Sequence, residues 1–169
     1  MSSRTSSRVA LVARHDVAMR DFNAHAVLLQ DFIAKSAGLN GADLQVVGLL
    51  MSNGPATPGE LAELTGLSAG GAITALVDRL ESAGYVVRHR DGRDRRRVLV
   101  EAVPEVVLAS VGTIYQRIGE QWNSFLATLS DDQLLIVTEV IEAATTLNRS
   151  EIAHLRQTRG LPPREIETQ

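Results

Sequence analysis

The sequence predicts a mainly α-helical fold with one small β-hairpin near its middle. Several stretches without Pro or Gly carry apolar residues at helical spacing, and residues that cap or end helices separate them. Two short apolar runs, residues 85–87 and 98–100, flank a polar segment in the way that the strands of a hairpin do. The chain has 169 residues, 44% of them hydrophobic, which is enough for one domain with helical extensions.

The first predicted helix is long and has a coiled-coil-like apolar seam. It covers residues 9–37, which contain neither Pro nor Gly, and Gly38 ends it. Residues 1–8 are rich in Ser and Arg, and we expect them to be disordered. Apolar side chains recur about every 3.5 residues, so we expect this helix to pack against other helices. The apolar positions are Leu11, Ala18, Phe22, Leu29 and Phe32.

Two shorter helices are predicted next. Asn40 can cap the first of them, which continues to about Met51, because an asparagine side chain accepts a hydrogen bond from an amide of the first turn. Thr57 and Glu60 have the spacing of a capping box at the start of the other helix, which is short. Gly66 then turns the chain.

A fourth helix follows this turn. We expect Ser68 to cap it and Gly84 to end it. Gly70 and Gly71 lie near its start. Small residues there either let the backbone approach phosphate groups closely or relieve packing against the third helix, and the sequence leaves both interpretations open.

Positive charge is concentrated between the two predicted strands. Residues 88–97 include six arginines and two aspartates, a local charge of +4 in a chain whose net charge is −3. Such a cluster predicts a binding site for a polyanion, and an arginine-rich hairpin tip has the size and charge to enter a groove of DNA. The alternative is a tip that is polar only to remain solvated.

Two long helices complete the prediction. Pro104 opens the first of them, and Ser130 with Gln133 forms a capping box at the start of the second. Each carries an apolar stripe that we expect a second copy of the chain to cover. The stripes consist of Val111, Tyr115, Ile118, Trp122 and Phe125 on one helix and of Leu134, Val137, Ile141, Ala144 and Leu147 on the other.

The order of these elements is that of a winged helix-turn-helix. A short helix, a glycine turn and a second helix are followed at once by the hairpin, so we expect that second helix in the major groove of DNA and the hairpin, or wing, in the neighbouring minor groove. The sequence therefore predicts a DNA-binding lobe over residues 39–103. Residues 9–38 and 104–158 are expected to form a helical dimerisation region, and residues 159–169 a disordered tail.

The middle of the chain resembles the MarR family of multiple-antibiotic-resistance-type regulators. Residues 76–81 read Leu-Val-Asp-Arg-Leu-Glu, residues 84–86 read Gly-Tyr-Val, and residues 91–96 read Asp-Gly-Arg-Asp-Arg-Arg. The family carries the pattern D-x-x-D-R-R in its wing, after a recognition helix that ends in D-R-L-E-x-x-G. The resemblance extends over residues 9–156 and implies a homodimer that binds a near-palindromic operator, represses nearby genes and is often released by a small ligand.

We expect the exposed face of the recognition helix and the tip of the wing to contact DNA. Thr74 and Ala75 are placed by helical spacing on the face that meets bases, although Thr74 could instead be a solvent-facing position without a role. Arg93 and Arg95 are expected in the minor groove, where a narrow A·T-rich groove attracts guanidinium groups. The complete expected set is Ser68, Gly70, Gly71, Thr74, Ala75, Arg79, Arg93, Arg95 and Arg96.

Some of these arginines have alternative roles. Arg79 is expected to contact either a phosphate or the wing. Arg96 or Arg97 is expected either to contact DNA or to pair with Asp78 or Asp94, which would hold the wing against the recognition helix.

A histidine and two aromatic residues of the long helices are candidates for a ligand site. His15 lies on the seam of the first helix, and Tyr115 and Trp122 lie on an apolar stripe. The resemblance implies a cleft between the dimer helices and the lobe, where we expect a small aromatic or amphipathic ligand. Alternatively, His15 is a hydrogen-bonded histidine of the dimer interface, and Tyr115 and Trp122 are core residues. No two histidines are spaced i, i+4 and cysteine is absent, so we expect neither a metal site nor another cofactor.

The sequence also argues against several functions. A chain without cysteine has no disulfide, thiolate catalysis or thiol redox sensor. No nucleophile with a neighbouring base and no phosphate-binding glycine loop occurs, so we do not expect an enzyme. No stretch has a signal peptide's hydrophobic region or the roughly 20 apolar residues that span a bilayer, so we expect a cytoplasmic protein. The alternative function is a winged-helix module that binds other proteins and not DNA.

Overall fold

The computed structural model describes residues 2–67 and 70–158 of the chain. The tail expected over residues 159–169 lies outside the described residues, and so does Ser68, the expected cap of the fourth helix. Within the described residues, no helix is long and apolar enough to cross a bilayer.

The first helix, α1 (Ser2–Ser36), begins earlier than the sequence predicted. No Pro or Gly occurs between residues 2 and 36, so nothing in the sequence interrupts the helical backbone there. The disorder expected for residues 1–8 stays a prediction. Gly38 ends the helix as predicted. Its φ of 70° is left-handed, and the amide of the next residue donates to the Ala34 carbonyl at 2.9 Å.

Helices α2 (Gly41–Asn53) and α3 (Pro58–Thr65) begin with the predicted caps. The Asn40 side chain accepts a hydrogen bond from the Asp43 amide at 2.9 Å, and the Asp43 carboxylate accepts one from the Asn40 amide at 3.3 Å. The capping box Thr57–Glu60 at the start of α3 is confirmed in the same way. Both caps involve residues three positions apart, which is why the sequence alone could predict them.

Helix α4 (Gly71–Ser82) starts after a turn with positive φ. Its N-cap is Gly70, whose φ of 119° is accessible to glycine and strained for other residues. A glycine has no side chain that could cap the helix, so no side-chain hydrogen bond caps α4 within the described residues. Gly84, with a φ of 80°, ends α4 as predicted.

The hairpin consists of strands β1 (Val86–Arg90) and β2 (Val98–Ala102), which pair antiparallel with Arg88 opposite Val100. The sequence did not predict a third backbone segment at this small sheet. Ala56, in the turn before α3, exchanges two hydrogen bonds with Val100, at 2.8 and 3.0 Å. The middle of β2, directly opposite Arg88 of β1, is therefore attached through its backbone to the segment before α3.

The hydrophobic core brings α2, α3 and α4 together with the hairpin. The end of α1 adds Ile33 and Ala34, and the segment after the hairpin adds Val107 and Val111. Asp43 is the one charged side chain that is buried among the described residues. The largest fully buried side chains are Val46, Val47, Leu61, Ile73, Leu76, Val77, Leu80, Val86 and Val100.

After the hairpin, the short helix α5 (Pro104–Val107) leads into a π-helical turn, Leu108–Gly112, and then into α6 (Thr113–Leu126). The sequence predicted one uninterrupted helix here, because apolar spacings of three and four residues do not reveal a locally wider turn. Helix α7 (Asp131–Thr158) begins with the capping box Ser130–Gln133, which confirms that prediction.

The chain divides into two compact units between Ile114 and Tyr115. The first unit contains α1 to α5, the hairpin, the π-helical turn and the first two residues of α6, and the second contains the rest of α6 and α7. No residue of α6 or α7 is buried, and both helices expose apolar side chains. The proposed limits of the DNA-binding lobe, residues 39–103, stay a prediction.

Candidate nucleic-acid interface

Helix α4 has one buried face and one solvent-exposed face. The residues that the sequence predicted to meet DNA bases lie on the exposed face, where Gly71, Thr74 and Ala75 are all open to solvent. The spacing of the buried residues, three and four positions apart, orients the helix in this way. The buried face consists of Ile73, Leu76, Val77 and Leu80.

The two glycines at the start of α4 are not explained by packing. A Cβ atom added at Gly70 or Gly71 would meet nothing within 4 Å, so relief of packing against α3 is not their reason. The positive φ of Gly70 is a sufficient reason for that residue. The other interpretation, a close approach of the DNA backbone to this exposed helix start, stays a prediction.

Two aspartates fold the tip of the hairpin. The Asp91 carboxylate accepts a hydrogen bond from the Arg93 amide at 2.8 Å, and the Asp94 carboxylate accepts one from the Arg96 amide at 3.0 Å. Asp94 thus binds the backbone of Arg96 and not its side chain, contrary to the pairing that the sequence allowed. The acidic residues of the tip shape its backbone and leave the neighbouring guanidinium groups free.

The side chains of Arg93, Arg95 and Arg96 extend from this tip and are exposed. Within residues 2–67 and 70–158, none of these three guanidinium groups forms an ion pair or a hydrogen bond. Arg90 has a different role, because it donates to the Arg95 carbonyl at 2.8 Å and so steadies the loop. The tip therefore presents three exposed cations that have no ion-pair partner among the described residues, as a polyanion site requires.

Two other arginines attach the hairpin to the helices. Arg88 on β1 pairs with Asp78 at 2.6 Å and with Glu81, both on α4. Arg97, just before β2, pairs with Glu60 of α3 at 3.1 Å. The sequence expected Arg96 or Arg97 to hold the wing against α4, and this expectation was wrong.

The position of Arg88 in its strand explains the error. Side chains alternate between the two faces of a strand, so Arg88 points to the same side as the buried Val86, towards the helices. Burial disfavours its charged form, but hydrogen bonds to Asp78 and Glu81 and the charges of these groups outweigh burial, so the pKa of Arg88 is raised. A polar residue at an inward-facing strand position was the sequence signal for this contact.

Arg79 is also held by the protein, although not by the wing. Its guanidinium donates to the buried Asp43 carboxylate at 2.7 Å and to the Ala75 carbonyl at 3.3 Å. The predicted contact with the wing is therefore wrong, whereas a contact with a DNA phosphate stays a prediction, since 53% of the side chain is exposed. This pair links the start of α2 to the exposed face of α4.

The three residues expected at a ligand site lie in both units of the chain. His15 is exposed on α1, 3.6 Å from the Asp16 carboxylate. Tyr115 and Trp122 lie half-exposed on α6, and the Trp122 ring meets Phe125 edge-on, with 6.0 Å between ring centroids. Aromatic surface is thus available on α6, and a ligand site that includes these residues stays a prediction.

Comparison with known proteins agrees with this architecture. The family model described as "MarR family" matches residues 37–97, which comprise α2 to the end of the hairpin tip. The chain is 34% identical over 158 residues to YcgE, an uncharacterised HTH-type transcriptional regulator of Bacillus subtilis (strain 168), and the match covers 93% of this chain and all of that relative.

Two solved structures share the fold at lower identity. One is NadR in complex with 4-hydroxyphenylacetate, with a TM-score of 0.55 and 20% identity over 76% of this chain and 89% of the other. The second is a mutant of Staphylococcus aureus MepR bound to an oligodeoxyribonucleotide, with a TM-score of 0.54 and 16% identity over 82% of this chain and 97% of the other. The sequence identity to the B. subtilis regulator and the family match together establish that this chain belongs to the MarR family of transcriptional regulators.

Proposed function

We propose that this regulator binds a specific, near-palindromic DNA operator with α4 in the major groove and the hairpin tip in the adjacent minor groove. The observation that carries the proposal is the group of three free guanidiniums, on Arg93, Arg95 and Arg96, at the end of a hairpin attached to α4. Cations without intramolecular partners lose no ion pair when they meet phosphate groups. MepR, which has a similar fold, was solved bound to an oligodeoxyribonucleotide, and this supports DNA as the ligand of the proposed interface.

We propose further that the regulator acts as a homodimer in the cytoplasm. Helix α1 exposes Phe22 and Phe32, and α6 and α7 expose apolar side chains along their length. Large apolar side chains exposed in this number are covered in most folded proteins, and a second copy of the chain could cover them. A dimer would also present two recognition helices about 34 Å apart, the spacing of the half-sites of a palindrome. Phe22→Glu should give a folded monomer in light scattering, and a variant that remains dimeric would contradict this role of α1.

We also propose that the regulator is a repressor that a small aromatic ligand releases from DNA. NadR, which has a similar fold, was crystallised with 4-hydroxyphenylacetate, and α6 offers exposed aromatic rings at Tyr115 and Trp122. A thermal-shift screen of phenolic acids should find compounds that raise the midpoint and also weaken DNA binding. A screen in which no phenolic acid does either would contradict this part of the proposal.

Fluorescence anisotropy tests the DNA-binding function directly. The full chain is titrated onto duplex DNA from upstream of its own gene and onto a scrambled duplex of equal length and composition, at one fixed salt concentration. We expect the upstream site to bind about 1,000-fold more tightly or better, the usual difference between specific and non-specific sites. Equal affinity for both duplexes would contradict sequence-specific binding, and no binding to either would favour a winged-helix module for protein contacts.

A further inference from the structure

Helix α4 and strand β1 of the hairpin are linked by one polar cluster, which we call the Arg88 clamp (Arg88, Asp78 and Glu81). The Arg88 guanidinium contacts Asp78 at 2.6 Å and also contacts Glu81, and the Glu81 carboxylate accepts the Arg88 backbone amide at 3.2 Å. Backbone and side chain of one strand residue are therefore both attached to the helix. Because the guanidinium is planar and its donors are fixed, contact with two carboxylates also fixes its orientation.

The clamp lies where it can control the direction of the hairpin. Arg88 is in the middle of β1, between the base of the hairpin at Val86 and the tip that begins after Arg90. A two-stranded hairpin alone is marginally stable, so its direction depends on what its sides contact. Just before the other strand, Arg97 contacts Glu60 of α3, and β2 itself is held at Val100 by the backbone of Ala56. On β1, Arg88 is the residue whose side chain attaches the strand to α4.

We propose that Arg88 is a positioning residue for DNA recognition: through Asp78 and Glu81 it fixes the offset between α4 and the hairpin tip, and so the spacing of the two contacts along the DNA. The inference rests on the proposed function, because it needs α4 and the tip to bind one duplex. Arg88 itself has only 23% of its side chain exposed and need not touch DNA. Arg88 would affect DNA affinity by fixing where Arg93 and Arg95 lie relative to α4.

A second explanation of the clamp is charge neutralisation. Asp78 and Glu81 place two negative charges on the helix that approaches DNA, and Arg88 could serve only to offset them. The two explanations differ in what happens to the tip. If Arg88 positions the wing, breaking the clamp in any way should reduce the contribution of Arg93 and Arg95; if it only offsets charge, that contribution should stay the same.

The test breaks the clamp in two ways that change the charge in opposite directions. Arg88→Ala removes one positive charge, and the double variant Asp78→Ala with Glu81→Ala removes two negative charges. The tip substitutions Arg93→Ala and Arg95→Ala are then made together in the wild-type chain and in both clamp variants. Affinity is measured by anisotropy on a duplex selected from a random pool with the wild-type protein.

We expect the tip substitutions to weaken binding by about tenfold or more in the wild-type chain, because two charge-assisted contacts are lost. In both clamp variants we expect a loss of less than about threefold, since coupled residues do not act additively. An undiminished tip effect in either clamp variant would overturn the inference while leaving the proposed function intact. Failure of the wild-type chain to select any duplex would overturn both.

Hydroxyl-radical footprinting provides a readout that a general loss of stability would not change. Arg88→Ala should lose the protection of the flanking minor groove and keep the protection at the sites of α4. Arg88→Lys should be intermediate, because an ammonium group on a flexible stem does not bind two carboxylates in one fixed orientation. Circular dichroism checks that each variant is folded. If Arg88→Ala does not fold, the footprint is taken from the double variant Asp78→Ala with Glu81→Ala, because alanine is a strong helix former at both positions of α4. A full footprint in a folded clamp variant would overturn the inference.

Discussion

Replacing Arg79 by Ala should destabilise the lobe more than replacing Asp43, the residue with which it pairs. The two ends of this ion pair have very different environments: the Asp43 side chain is 6% exposed, whereas the Arg79 side chain is 53% exposed. In Arg79→Ala, the buried carboxylate keeps one described hydrogen bond, from the Asn40 amide at 3.3 Å. In Asp43→Ala, the guanidinium is left in contact with water.

The expected magnitudes follow from this asymmetry. A buried polar group that loses its hydrogen-bond partner lowers the free energy of unfolding by about 1–3 kcal/mol, and a charged group lowers it by more. We therefore expect Arg79→Ala to lower the free energy of unfolding by about 2–3 kcal/mol. Asp43→Ala loses half of a capping box, about 1 kcal/mol, and a half-exposed ion pair worth less than about 1 kcal/mol. Because the double variant leaves no buried charge, it should be more stable than Arg79→Ala alone.

Urea unfolding of the four proteins measures these differences as shifts of the midpoint. The comparison is made at one protomer concentration, since the stability of a dimer depends on concentration. Equal m-values would show that the variants unfold from comparable states. If Asp43→Ala were the less stable single variant, or if the two losses simply added in the double variant, the reasoning from burial would be refuted.

Three further predictions concern the interface and its support. Replacing Arg93 and Arg95 by Ala together should reduce the slope of log affinity against log salt by about 2 per half-site, since each lost phosphate contact contributes about 0.9. The control Arg117→Ala, on α6, should leave the slope unchanged. An unchanged slope in the tip variant would mean that the arginine cluster is only a solvated turn. Thr74→Ala should weaken the preferred duplex by about 1 kcal/mol or more at nearly constant salt slope, and equal loss on all sequences would contradict base contact. Tyr85→Phe should lower the free energy of unfolding by about 1 kcal/mol, because the Tyr85 hydroxyl donates a hydrogen bond to the Ala37 carbonyl, just after α1, at 2.9 Å. A thermal unfolding midpoint equal to that of the wild-type chain would contradict this.

Local chemistry made much of the fold predictable. The caps at Asn40, Thr57 and Ser130 each join residues three positions apart, and the left-handed turns fall at Gly38 and Gly84 as expected. Apolar spacing on the fourth predicted helix also placed its exposed face correctly. The start of this helix was less predictable, because a backbone turn at Gly70 took the place of a side-chain cap.

The sequence by itself determined that positive charge would gather at the tip of one hairpin beside a helix-turn-helix, because composition and turn chemistry are local properties. Only the tertiary structure decided how the arginines divide between support and exposure. Arg79 and Arg97 find partners 36 and 37 positions away, and such pairs depend on how α2, α3, α4 and the hairpin pack. Arg88 faces a helix because one face of its strand is buried. Arg93, Arg95 and Arg96 form no ion pair within the described residues, because they lie at the tip, beyond the paired strands.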